Sequence, residues 1–225
     1  MRVRREGALV RATLSRPPVN ALDSAAYRWL TETCAAMRPD ECLLIDATGD
    51  VFSAGHDRGE PAGGESLAAG VAALAAVLRC PAPVVVAAQG PAIGAGALLL
   101  AAADVPVIAS GAWLRLPELD VGVTVGQAVL RRLLPPAVAS RALLTSERIP
   151  AERIGAALVC PPEELAGAAA DAAHAVLRKS PALVSLARRT WGEREEAAAA
   201  YEAELAAFLA GTGGQARRGA TRPDS

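Results

Sequence analysis

Residues 8–14 (ALVRATL) alternate loosely between apolar and polar positions, the period of a half-buried strand. Arg16-Pro17-Pro18-Val19-Asn20 reads as a proline-fixed loop, after which Asp23 or Ser24 caps a helix running to about Met37. The short apolar run 42–47 (CLLIDA) ends in Thr48-Gly49-Asp50, as a fully buried strand running into a turn would. The glycine-rich stretch from Phe52 to Gly64 is loop, and 66–79 is helix. A buried strand at 82–88, a glycine turn and a buried helix at 95–103 follow, then short strands at 105–109 and 113–116. From Val125 onward the spacing predicts helices at 126–134, 136–144, 151–156, 163–178, 182–190 and 193–210. The glycine- and arginine-rich tail after Gly211 is expected to fray.

Strands alternating with helices, then a helical last third, predict an α/β fold with a parallel-rich sheet. The pattern reads as one domain with a helical annex beginning near residue 140. One stretch invites a different reading. Pro81 to Ala103 carries no charge and is long enough to span a bilayer, but Gln89, Gly90, Pro91, Gly94 and Gly96 interrupt it. It fits a buried strand, turn and helix better than a membrane span.

Composition narrows the chemistry. The chain is 52% hydrophobic and 21% charged, with a net charge of −1, so it folds and carries no electrostatic signature for nucleic acid or an anionic membrane. Aromatics at 3% leave no stacking platform for bases. Two histidines exclude a multi-histidine metal site, and the four cysteines form no CxxC pair. The N-terminal residues lack the apolar core of a signal peptide. The expectation is a reduced, cytoplasmic protein whose cysteines are small buried hydrophobes. Basic residues are arginine except Lys179, which leaves a Schiff-base mechanism almost no candidate.

Three segments carry candidate chemistry. In Val51-Phe-Ser-Ala-Gly-His-Asp57 a glycine-containing loop follows a strand and can offer a backbone N–H to a ligand oxygen. Ser53, His56 and Asp57 do not make a triad, since adjacent His and Asp side chains diverge and no G-x-S-x-G elbow is present. A plain turn with Asp57 as a cap is the alternative. Gln89-Gly-Pro-Ala-Ile-Gly-Ala-Gly-Ala97 places free N–H groups at a helix start, which favours a phosphate or a developing oxyanion. It lacks both the G-x-G-x-x-G spacing and a P-loop lysine, so a nucleotide-binding module is a weak reading and a close-packed glycine turn the plain one. In Trp113-Leu-Arg-Leu-Pro-Glu118-Leu-Asp-Val-Gly122 a carboxylate sits among Leu114, Leu116, Leu119 and Val121. If they desolvate it, its pKa rises, as a general acid or base requires; otherwise Glu118 is a solvent-facing loop residue.

Taken in order, VFSAGHD, CPAPVVVAAQGPAIGAG, AAADVPVIAS and LRLPELDVGV resemble the enoyl-CoA hydratase/isomerase (crotonase) superfamily. RPPVNALD and LLTSERIPAERIGAALV are also similar to segments of that family, and the resemblance covers about residues 8–190. It implies a crotonase-like spiral of ββα units with a helical C-terminal region. Residues 1–140 would form the core and 141–225 a helical region used in assembly into a homotrimer or hexamer. It implies an acyl-CoA thioester as substrate, with coenzyme A as part of the substrate and no metal or separate cofactor. The backbone N–H groups of His56 and Ala95 match the family's oxyanion hole, with alanine where glycine is usual.

Of the family's two hydratase glutamates, Glu118 matches one, while Leu98 stands at the other and would line the acyl pocket instead. One carboxylate is the pattern of single-glutamate enoyl-CoA isomerases, so the resemblance implies a thioester enolate held in the oxyanion hole with Glu118 as acid and base, in an isomerase- or hydratase-like reaction, with dehydration and decarboxylation also open. Arg16 and Arg58 fall in CoA-binding segments, and Asp104 reads as structural. The loop Arg58–Glu65 is shorter than usual, and Val125–Val129 keeps only Gly126 of the glycine-rich turn. These departures also fit an accessory crotonase-like subunit that assists a partner synthase of the polyketide type in making an aromatic acyl-CoA.

Overall fold

The computed structural model describes residues 1–60 and 64–219, with side chains as far as Gly211. A hairpin of β1 (Arg2–Glu6) and β2 (Leu9–Leu14) leads into α1 (Ser24–Ala35). Then come β3 (Cys42–Ala47), α2 (Gly64–Leu78), β4 (Val84–Ala88), β5 (Ala92–Ile93) and α3 (Ala95–Ala101). β6 (Val105–Ala109) and β7 (Trp113–Arg115) precede α4 (Gln127–Leu130) and α5 (Pro136–Thr145). β8 (Ile149–Pro150) and β9 (Leu158–Cys160) are followed by α6 (Leu165–Leu177), α7 (Pro181–Thr190) and α8 (Glu193–Gly219).

The main sheet has the order β1-β2-β3-β4-β6-β9, parallel throughout except for the β1–β2 hairpin. Its strands advance in chain order without reversing, so the sheet has no switch-point crevice of the doubly wound kind. The second strands of successive units leave it for a small sheet, β5-β7-β8.

Burial on both faces explains the unbroken apolar runs CLLI and VVVAA. Val10, Ala12, Leu43, Ile45, Val84, Val86 and Ile108 face the principal core beneath α1, α2 and α3. The alternate residues Leu9, Cys42, Leu44, Val85, Ala87, Val107 and Ala109 face a second core. There α6 lays down Leu165, Ala169 and Ala173 at helical spacing.

α8 is fastened to this frame by a buried arginine. Arg194 donates to the carbonyls of Val77 and Leu78 at the end of α2, to Ala102 at the end of α3, and to Asp104. Asp104 in turn accepts from the Val84 amide and pairs with Arg188, the structural role expected of it. Three helix-end carbonyls are thereby matched to one buried guanidinium, and the two arginines share the Asp104 carboxylate.

Several expectations are corrected. β1 is a strand that the pattern does not mark, because all five of its residues are exposed and its apolar content carries no period. The helix expected at 151–156 is a single 3₁₀ turn, Ala151–Arg153, and the chain then enters β9. The last third is therefore not wholly helical: β8 and β9 complete the two sheets. The helix at 126–134 shortens to α4, while α8 continues past 210 to Gly219; residues 220–225, part of the tail expected to fray, lie outside the described residues. Cys34, Cys42 and Cys80 are buried, but Cys160 is only partly so, since it closes the sheet-edge strand β9. No helix among the described residues is long and apolar enough to cross a membrane.

Candidate active site

Two glycines bring the loop after β3 against the start of α3. Gly55 has φ +81°, and a Cβ there would stand 2.5 Å from the Ile93 carbonyl oxygen and 3.1 Å from the Ala95 nitrogen. Gly96 is equally confined, 2.6 Å from the Ser53 carbonyl oxygen at its would-be Cβ. Only residues without a side chain allow so close an approach. The loop is pinned from the other side, where Leu22 donates to the Gly55 carbonyl at 2.7 Å and Asp57 donates to the Leu22 carbonyl at 3.0 Å. The intervening His56 amide therefore turns away from Leu22. Among the described residues, neither the His56 N–H nor the Ala95 N–H has an acceptor in the protein. Both residues border one cavity.

That cavity measures about 170 Å³ and is walled by Leu67, Val71, Leu98, Val123 and Val125 together with both tyrosines of the chain. Glu118 is its one carboxylate among the described lining residues. The side chain is 9% exposed, and its Oε2 is buried with no hydrogen-bond partner. Oε1 lies over Gly94, 3.1 Å from where a Cβ would be. Burial, with a smaller contribution from Asp120, pushes its pKa up to about 7. The backbone is fixed by the 3₁₀ turn Leu119–Val121, with the Val121 and Val123 amides donating to the Glu118 carbonyl. The residues expected to desolvate it are only partly the right ones. Leu114 and Leu116 turn into the core, Leu119 points to solvent, and Val121 is half-exposed at the cavity's border. The 3₁₀ turn rotates Leu119 outward, and the apolar wall comes from α2, α3 and the 123–125 segment instead.

Leu98 contributes to the wall and packs on Gly126, where a Cβ would meet its Cδ1 at 2.8 Å. Gly126 also has φ +115°, which explains why this glycine is retained. The turn is held from α8: Glu204 accepts from the Gly126 amide at 2.6 Å and from the Ala128 amide at 2.8 Å. A carboxylate on the free amides of a helix start is a favourable pairing. One turn earlier on α8, Tyr201 enters the cavity lining. The His56 and Asp57 side chains diverge as expected. His56 stacks on Tyr27, with ring centroids 5.9 Å apart, while Asp57 accepts from Arg16 at 2.5 Å. Ser53 is fully buried and donates to the Asn20 carbonyl, so it is no nucleophile.

The enoyl-CoA hydratase/isomerase family profile matches residues 4–210. The chain belongs to this family. A carnitinyl-CoA dehydratase of Salmonella arizonae is 32% identical over 82% of this chain and 77% of its own length. The corresponding Escherichia coli K12 protein is 34% identical over 66% of this chain and 61% of its own. A solved structure of a probable enoyl-CoA hydratase from Mycobacterium tuberculosis H37Rv superposes with a TM-score of 0.81 at 26% identity, covering 94% of this chain and 95% of that one. The fold is thus the crotonase fold, and the protein is an acyl-CoA-processing member of the hydratase/isomerase family.

In this family member the structure gathers His56, Ala95, Leu98, Glu118 and Arg58 around one cavity. Arg16 lies outside that lining, its guanidinium bound to Asp23 at 3.0 Å and to Asp57. The Gly59 amide and Arg16 hold the Asp57 carboxyl below its usual range. Tyr27, Tyr201 and Glu204 escape a reading of the sequence. The tyrosines sit on helix faces whose spacing says only that they are buried, and Glu204 looks like any solvated helix carboxylate. The one available signal is scarcity: a chain with two tyrosines places both at the same cavity.

Proposed function

We propose that the protein stabilises the enolate of an acyl-CoA thioester, with Glu118 as the single glutamate that takes and returns the α-proton. The thioester carbonyl would accept from the His56 and Ala95 amides, two donors with no partner among the described residues. When Glu118 removes the α-proton, the bonding pair moves toward the carbonyl and charge develops on the oxygen between those donors. Preorganised amides in a dry site favour that charge, and losing one such donor typically costs about 100- to 1000-fold in rate. Return of the proton at the γ-carbon shifts the double bond, which is isomerisation. A pKa of about 7 lets Glu118 both take and give a proton near neutral pH.

The observation that carries this reading is the desolvated Glu118 carboxyl, its Oε2 without a partner, in one cavity with two amides that have no acceptor among the described residues. Arg58 borders the cavity and would meet the phosphates of coenzyme A. The experiment is deuterium exchange at the α-carbon of a panel of acyl- and enoyl-CoAs, followed by mass spectrometry for the wild type and Glu118→Gln. Exchange that disappears in the variant is expected. A folded wild-type protein that exchanges nothing would overturn the reading and favour the accessory role beside a partner synthase.

A further inference from the structure

A hydrogen-bonded chain leads from the cavity to the surface on the side of α1 and α2. Tyr27 on α1 borders the cavity, and its hydroxyl lies 3.3 Å from His56 Nδ1. His56 Nε2 lies 3.3 Å from the Ser66 hydroxyl at the start of α2. Ser66 donates to Glu60 Oε2 at 3.2 Å, and Ser24 donates to the same carboxylate through its hydroxyl at 2.7 Å and its amide at 3.1 Å. A hydroxyl has one proton. Ser66 gives its proton to Glu60, so it accepts from His56, which places a hydrogen on Nε2. In the neutral ring Nδ1 is then the acceptor for the Tyr27 hydroxyl; in the imidazolium Nδ1 carries a hydrogen toward Tyr27 and frees the phenolic proton. The fold makes room for this hydroxyl. A Cβ at Gly70 on α2 would stand 3.3 Å from the Tyr27 oxygen and 3.1 Å from its Cζ.

We propose that Tyr27 is the second proton carrier of this cavity, giving a proton to the β-oxygen that leaves from a 3-hydroxyacyl-CoA and taking it back when water adds. The inference rests on Glu118 acting as the base. Elimination of water breaks Cα–H and Cβ–O. Glu118 takes the α-proton, and the pair from Cα–H forms the Cα=Cβ bond. The β-oxygen departs with the C–O pair and is protonated to water by Tyr27. When the product leaves, the phenolate takes up a proton from water and Glu118 gives the α-proton up to water, which restores both groups, while His56 holds the tyrosine oxygen in place.

The need for such a group follows from Leu98, which carries no proton, and from Glu118 being the lone carboxylate among the described lining residues. Burial, then the charges of Glu60, Glu118 and Asp23, hold the Tyr27 phenol well above its ordinary range and so in its protonated form. Glu60 is held below the usual carboxylate range, first by the Ser24 hydroxyl and amide and then by Ser66, so it stays charged at the outer end of the chain.

The test compares two rates in the same preparations: dehydration of 3-hydroxybutyryl-CoA and α-deuterium exchange into butyryl-CoA. Tyr27→Phe keeps the ring that stacks on His56 and removes only the oxygen. Dehydration is expected to fall at least about 100-fold in this variant, the scale of a lost general acid, while exchange stays within about tenfold. Ser66→Ala, which interrupts the chain one step further out, is expected to lower dehydration more than exchange as well. A parallel fall of both rates in Tyr27→Phe, or no fall in either, would overturn the inference. So would a wild-type protein that exchanges α-protons but dehydrates no 3-hydroxyacyl-CoA, an outcome that leaves the Glu118 reading intact. A protein that does neither overturns both.

Discussion

Glu118→Gln should make the protein inactive and, at alkaline pH, more stable. The wild-type carboxyl ionises near 7 in the fold against an ordinary 4.5, because burial leaves Oε2 without a partner. The folded state therefore binds the proton more tightly than the unfolded chain. Stability is greatest below the unfolded pKa and is lost as pH rises through the window from about 4.5 to 7. The full loss is about 3 kcal/mol at pH 8, from about 1.4 kcal/mol for each pH unit of that window. At pH 5 less than about 1 kcal/mol has been lost.

Glutamine removes the charge but buries an amide of its own, at about 1 kcal/mol. The net gain is then about 2 kcal/mol at pH 8 and near zero at pH 5. For a chain of this size about 1 kcal/mol moves Tm by roughly 2–4 °C, so the variant should melt some 4–8 °C higher at pH 8 and close to wild type at pH 5. Thermal melts followed by circular dichroism at the two pH values are the assay. The same Tm difference at both, or a loss at pH 8, would refute the desolvated carboxyl.

Two other substitutions probe the frame around the cavity. Gly55→Ala puts a Cβ 2.5 Å from the Ile93 carbonyl at φ +81°. It should cost about 1–3 kcal/mol of stability and, by moving the His56 amide, about 100-fold in kcat/KM; melts and steady-state rates check both. Glu204→Ala removes both caps on the Gly126 and Ala128 amides. A stability loss of about 1–3 kcal/mol and a raised KM are expected, since Leu98 rests on the turn that Glu204 holds; an unchanged KM would separate the turn from the pocket.

What the sequence discloses here is the part governed by local rules. CLLI and VVVAA announce strands buried on both faces, and the glycines of Gly90–Gly96 announce a tight strand-to-helix turn, because each needs only its neighbours to be understood. The resemblance placed His56, Ala95, Leu98 and Glu118, and the fold brings all four to one cavity. β1 was not legible, because a fully exposed edge strand has no apolar face to betray its period. Nor were β8 and β9, which are two and three residues long and exist only by pairing with strands far away in the chain. The hydrogen-bonded chain from Tyr27 through His56 and Ser66 to Glu60 joins three separate segments, and no spacing rule links them. The desolvation of Glu118 was anticipated in kind but not in source. The leucines beside it in sequence turn away, and residues from α2, α3 and the 123–125 segment take their place.

The placement of Tyr201 and Glu204 on α8 gives the cavity a birth order. A ribosome reads the codon for Glu118 well before those for α8, an interval on the order of ten seconds at about 5–20 residues per second. Until Arg194 locks α8 against the ends of α2 and α3, the nascent chain lacks Tyr201 in the cavity wall and the α8 carboxylate that caps α4. During that interval the wall on the Tyr201 side is missing, and the enclosure around Glu118 is incomplete. The surroundings of this residue are thus completed late in synthesis, and a chain interrupted ahead of α8 carries Glu118 without the last part of its enclosure.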